Sequence, residues 1–182
     1  MIFNPLKFNN MQAIDTLYND HFFRSRLEAR WAVYFDSLNQ KWEYEPEGFI
    51  LENGVKYLPD FYIPELDAYI EVKPSINLEQ DNMYGILDLY KYDLENKWKP
   101  FSKNKNLLIA IGTPHAKCMW LLLNEKCYSH DGMLMVIPFA YLMKSSYGKY
   151  WYSAGDDDWN DWPPFRQAII KAKSARFNAV NS

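Results

Sequence analysis

Four positions carry the chemistry that this sequence advertises. Asp60 directly follows Pro59, Glu71 and Lys73 bracket Val72, and Glu28 stands upstream among apolar residues. Two carboxylates and an ammonium held together make a place for a divalent cation and an attacking water. Carboxylate oxygens suit hard cations such as Mg2+ or Mn2+, which lower the pKa of bound water and polarise phosphoryl oxygens.

The spacing makes the grouping physical. Side chains alternate across a strand with period two. Leu58, Asp60 and Tyr62 therefore share one face of one strand, and Tyr69, Glu71 and Lys73 share one face of the next. A four-residue turn over 64–67 sets Ile63 opposite Ala68, and counting back puts Asp60 opposite Glu71. Their β-carbons are then roughly 4.5–5.5 Å apart, a repulsive placement for like charges. A cation between them resolves the conflict, with the Val72 backbone carbonyl as a further ligand. Lys73 is placed to orient or help deprotonate a bound water, or to meet the phosphate being cut.

Glu28 has two readings. In Ser25-Arg26-Leu27-Glu28 it is the third position of a capping box. At helical spacing it also falls with Trp31, Ala32 and Phe35 on the apolar face, where a carboxylate needs a partner. On the second reading it is catalytic and a further candidate metal ligand.

At these residues the chain resembles the PD-(D/E)XK nuclease superfamily. The stretches that carry the likeness are Arg24-Ser25-Arg26-Leu27-Glu28-Ala29-Arg30-Trp31, Tyr57-Leu58-Pro59-Asp60-Phe61 and Ile70-Glu71-Val72-Lys73-Pro74, in that order. The resemblance is greatest to small single-domain nucleases of phage and mobile elements, and to the end-cleaving nuclease subunits of some transposons. It implies a Mg2+-dependent phosphodiesterase (Mn2+ substituting) with a restriction-endonuclease-like α/β core, a central mixed sheet flanked by helices. It implies metal ligation by Asp60 and Glu71, the lysine role for Lys73, the first-helix acid role for Glu28, and products bearing a 5′-phosphate and a 3′-hydroxyl.

The elements that must position these residues follow from pattern. A hairpin over 12–23 turns at Asn19-Asp20. Ser25 opens a helix with Leu27, Trp31, Phe35 and Leu38 at helical spacing, closed by Asn39. Strands are predicted at 42–45, 48–52, 55–63 and 68–73, with Asn53-Gly54 as a hairpin turn. A helix follows over 78–95, then a polar basic loop over 97–105. Strands at 107–111, 119–123 and 133–139 come next, and an aromatic and acidic loop over 147–162. Pro163-Pro164 starts a last helix to about Phe177. The whole reads as one domain over 1–182, with its core at about 12–140 and a C-terminal loop and basic helix at 147–182.

Two basic stretches are candidate nucleic-acid contacts. Lys97, Lys99, Lys103 and Lys105 lie in one segment without an acid, and Arg166, Lys173 and Arg176 fall on one face of the last helix. A solvated surface is the alternative for both. His115-x-x-Cys118 and Cys127-x-x-His130 have zinc-like spacing, but the extended segment between them would separate the pairs by roughly 30 Å. Asp156, Asp157, Asp158 and Asp161 do not match a calcium loop.

Composition bounds the rest. Of 182 residues, 48% are hydrophobic and 24% charged, which is a globular class. A net charge of −3 gives no bulk positive field, so nucleic-acid binding must come from local patches. Two cysteines offer no disulfide framework and no apolar run reaches spanning length, so the expected setting is the cytoplasm, away from membranes. No glycine-rich phosphate loop appears, and no organic cofactor is expected. The expected partner is DNA, with a homodimer or a partner protein as a further possibility. The expected function is a DNA endonuclease. A cleaving subunit of a transposase complex, and a non-cleaving DNA- or protein-binding module on the same fold, are the alternatives.

Overall fold

Alternating apolar side chains build a six-stranded sheet with a core on each face. The computed structural model describes residues 13–74, 89–114, 119–123, 135–138, 140–141, 152–153 and 163–177. The strands of the central sheet are β3 (Glu43–Tyr44), β6 (Phe61–Ile63), β7 (Ala68–Lys73), β8 (Asn106–Ile111), β9 (Met119–Leu123) and β10 (Met135–Pro138). Their order is β10-β9-β8-β7-β6-β3. Among the described strands of this sheet only β7 and β8 run parallel, so the sheet is mixed and the architecture is α/β.

Alternation along β7 sorts the two cores. Ala68, Ile70 and Val72 join one core with Phe61, Ile63, Leu108 and Ala110, while Tyr69 joins the other with Leu107, Ile109 and Ile111. Burial on both faces is what a parallel pair requires. The first core is covered by α1 (Arg26–Ser37), whose Trp31 and Phe35 are fully buried. Each contributes about 1.5–3 kcal/mol of burial. The last helix, Pro163–Ser174, packs on α1 through Ala168 and Ala172, small residues that let the two helices approach.

The second core is covered by a helical segment with an irregular middle. A single turn, α2 (Lys91–Asp93), runs into a π-turn at Leu94–Trp98 and then α3 (Lys99–Ser102); the last helix is therefore α4. Here the expected loop over 97–105 is corrected. Leu94, Trp98 and Phe101 are buried at helical spacing and hold the segment against the sheet. Pro100 lacks an N–H and crowds the carbonyl four residues back, and the wider π-turn just before it fits that constraint.

Two hairpins flank the sheet. β1 (Thr16–Tyr18) and β2 (His21–Phe23) join through Asn19-Asp20, both at positive φ, as the sequence predicts. Phe23 packs on Tyr44, Trp42 and Phe61, which fixes the chain just ahead of α1. β4 (Phe49–Ile50) and β5 (Lys56–Tyr57) form the second hairpin, with Gly54 at φ 77° in its turn. The expected continuous strand over 55–63 is broken. β5 ends at Tyr57 and β6 begins at Phe61, because Pro59 cannot donate to a ladder.

Tyr152–Ser153 pairs with Ala140–Tyr141, so the expected loop over 147–162 contains a short strand. α4 ends at Ser174, which corrects the expected helix to about Phe177. Residues 78–88, His115, Cys118, Cys127, His130, the aspartates at 156–158 and Asp161 lie outside the described residues. Among the described residues, no helix is long and apolar enough to cross a membrane.

Candidate active site

The break at Pro59 is what makes the site. β6 and β7 pair with Phe61 opposite Ile70, Tyr62 opposite Tyr69 and Ile63 opposite Ala68, and one further step of that register faces Asp60 with Glu71. The turn between them is a 3-10 turn at Pro64–Leu66, closed by Asp67 in a left-handed conformation. Because the ladder stops at Phe61, the Val72 N–H has no strand partner on that side. The Asp60 carboxylate takes it, with Oδ2 accepting at 2.7 Å. A strand residue points its N–H and C=O to the same side, so the Val72 carbonyl also turns to this broken edge.

A cavity of about 540 Å³ opens here, lined by Arg24, Glu28, Asp60, Glu71, Val72 and Lys73, with Lys56 and Lys97 adding two more cations to its wall. The three acids are buried: Glu28 is 9% exposed, Asp60 5% and Glu71 7%. Glu71 accepts from the Tyr57 hydroxyl at 3.0 Å through Oε2, and its Oε1 lies 2.7 Å from Lys73 Nζ. Burial, then the charges of Glu71 and Glu28, push the Asp60 carboxyl well above the usual range. The Val72 N–H and Arg24 oppose that shift without cancelling it.

Lys73 is held between two acids. Its Nζ is 2.7 Å from Glu71 and 3.3 Å from Asp93, and lies 5.8 Å from the ring centroids of Tyr90 and Trp98. Burial works to lower its pKa, but Glu71 and Asp93 outweigh burial and raise it above the ordinary lysine value. Of the two roles expected for Lys73, orienting a water and helping to deprotonate it, the raised value favours the first. Lys73 is a fixed ammonium, suited to orienting a water or meeting a phosphate oxygen.

Both readings of Glu28 have a part in the structure. Ser25 caps α1, accepting from the Glu28 N–H at 3.2 Å. The Glu28 carboxylate takes hydroxyls instead of a backbone donor: Ser25 Oγ donates at 2.7 Å and Tyr44 Oη at 2.5 Å. Its charge acts on Asp60 from the cavity wall.

The chemistry of the donors fits a hard cation. Two buried carboxylates repel across one register step, and a backbone carbonyl turns to the same edge. Among the described residues no three His, Cys, Asp or Glu side chains converge as a metal-holding group. One or two carboxylates completed by water is the usual protein share of a Mg2+ site.

The candidate nucleic-acid residues divide. Lys97 pairs with Asp93 at 2.8 Å and lines the cavity. Lys99 pairs with Glu95 and Lys103 with Glu52, while Lys105 lies over the Phe49 and Tyr69 rings. The acids missing from that stretch thus arrive from the preceding helical turn and the β4–β5 loop. Arg166 and Lys173 are exposed on α4, but Arg176 lies beyond its end, which corrects the expected shared helix face.

Sequence reasoning missed Arg24, Tyr57 and Asp93. Arg24 lies directly before the cap, in the first of the stretches that carry the resemblance. Tyr57 and Asp93 act on Glu71 and Lys73 across tertiary contacts that no local spacing announces. No protein-family model matches the chain, and no curated protein matches it.

Proposed function

We propose that the protein is a Mg2+-dependent DNA endonuclease with a PD-(D/E)XK site on a restriction-endonuclease-like core. The observation that carries the reading is the register of β6 and β7, which faces Asp60 with Glu71 at the wall of a cavity beside the Lys73 ammonium. Asp60, Glu71 and the Val72 carbonyl would hold the cation, which supplies Lewis acidity and an acidified water at neutral pH.

The chain's own residues do the rest. Glu28 adds negative potential to the cation's seat and is itself held by Ser25 and Tyr44. Tyr57 fixes the Glu71 carboxylate, and Lys73 brings a positive charge for the phosphate. Water attacks phosphorus in line, the bond to the 3′ oxygen breaks, and that oxygen takes up a proton, leaving a 5′-phosphate and a 3′-hydroxyl. Lys97 on the cavity wall contacts a flanking phosphate.

The test is cleavage of linear, nicked, supercoiled and branched DNA with Mg2+, Mn2+ or chelator. Asp60→Ala and Lys73→Ala abolish cation-dependent cutting, and retained cutting in both purified variants refutes the assignment. One observation favours a second reading, a non-cleaving binding module. Arg24 and Lys73 already neutralise Asp60 and Glu71. On that reading DNA binds without turnover and Mg2+ titration gives no heat that depends on Asp60.

A further inference from the structure

Arg24 is a cation of the cavity with no part in the hydrolysis described above. It sits between β2 and the cap of α1, its side chain 57% exposed. Nη2 donates to Asp60 Oδ1 at 2.9 Å, and Nε lies 2.5 Å from Glu45 Oε1. The second pairing is one of charge without hydrogen-bond alignment, since that buried Glu45 oxygen has no hydrogen-bond partner among the described residues. Glu45 is in a left-handed conformation at φ 45°, rare for a non-glycine residue, while its N–H donates to the Asp60 carbonyl at 2.9 Å. Both of Arg24's acids are therefore tied to one another through the residue that matters most to the site.

The guanidinium occupies the oxygen that a cation at Asp60 would use, and two positive charges there repel. Arg24 is half open to water and its contact with Glu45 is not aligned as a hydrogen bond, so a ligand from solvent can reach it and compete for it. A guanidinium fork matches a phosphate in two hydrogen bonds, which a lone ammonium does not. We propose that Arg24 is a phosphate-binding residue that competes with the cation for Asp60: cation binding displaces it from Asp60 onto the nucleic-acid backbone. This rests on the hydrolytic reading, because it needs a cation at Asp60.

Calorimetry with Mg2+ alone, on wild type, Asp60→Asn and Arg24→Gln, separates the two. Arg24→Gln is expected to bind Mg2+ roughly fivefold more tightly, the scale of an ion pair open to water. It is also expected to bind a duplex oligonucleotide in Ca2+ more weakly, with a salt slope smaller by about one. A merely structural Arg24 would not move the two affinities in opposite directions. Unchanged or weaker Mg2+ binding by Arg24→Gln, beside wild-type binding that Asp60→Asn removes, overturns the inference and leaves the hydrolytic reading standing. No Mg2+ binding by wild type or Arg24→Gln overturns both. Should Arg24→Gln fail to fold, Arg24→Lys serves, since a lysine cannot span Asp60 and Glu45 together. Mg2+ affinity no higher than wild type in that variant likewise overturns it.

Discussion

Asp60→Asn should make the protein more stable in chelator and less responsive to Mg2+. The variant keeps an oxygen to accept from Val72 N–H and removes a buried charge that Glu71 and Glu28 repel. Each unit by which the folded protein raises a carboxyl pKa costs about 1.4 kcal/mol once pH exceeds both values. Against that gain stands the lost pair with Arg24, whose exposure limits it to at most about 1 kcal/mol. Each 1 kcal/mol of net gain raises Tm by roughly 2–4 °C in a chain of this size. The sign with pH is fixed by the direction of the shift. A carboxyl raised on folding stabilises below its unfolded value, and that stability is lost as pH rises through the folded one. Wild type therefore falls away from the variant as pH rises, and the two converge in acid. In Mg2+ at a hundredfold its Kd, wild type gains about 2.7 kcal/mol and the order reverses. Thermal unfolding at several pH values, in chelator and in Mg2+, measures all of this. If Asp60→Asn melts below wild type at pH 8 in chelator, the Arg24 pair outweighs the repulsion. If Mg2+ raises both proteins equally, the cation is held elsewhere.

Substitutions at two further positions test how the surrounding structure holds the site. Trp98 is fully buried, yet its indole N–H has no hydrogen-bond partner among the described residues. Trp98→Ala should cost about 3–5 kcal/mol by denaturant unfolding; Trp98→Phe, which also deletes an unpaired donor, should cost well under half as much, and equal losses would place the indole N–H in a bond that matters. Gly54→Ala meets open space but a φ of 77°, so it should cost about 1 kcal/mol through backbone conformation alone, and an unchanged midpoint would show that the β4–β5 turn adapts.

Register and faces were legible because they follow from counting. Ile63 meets Ala68, and Tyr69, Glu71 and Lys73 share a face of β7, as the sequence predicts, since a one-residue slip would turn Glu71 and Lys73 onto the face of the Phe61 and Ile63 core. The Asn19-Asp20 turn and the Ser25 cap were legible because those residue types satisfy one local geometry. What escaped depends on tertiary contact. Lysines at 97, 99 and 103 look unpaired along the chain, but Asp93 and Glu95 come into reach only when the segment coils, and Glu52 only when the β4–β5 hairpin docks. Pro59 was visible in the sequence, and its effect on the ladder should have shortened the predicted strand.

The same break links fold to chemistry. Had β6 continued through residue 59, Val72 N–H would bond to a strand and the Asp60 carboxylate would have no backbone donor to fix it. The proline ends the ladder one residue before the aspartate, so the side chain replaces a strand partner and is held rigidly while remaining at the cavity wall. Lys73, one residue beyond Val72, points back to the face of Glu71 by simple alternation, and the aromatic core under it excludes water from one side of the ammonium. Its charge is then fixed by Glu71 and Asp93 and not by solvent. An ammonium so held is placed to act through position and charge. In the hydrolytic reading solvent and the phosphate itself offer the proton of the attacking water a way out, while Lys73 orients the water and meets the phosphate charge.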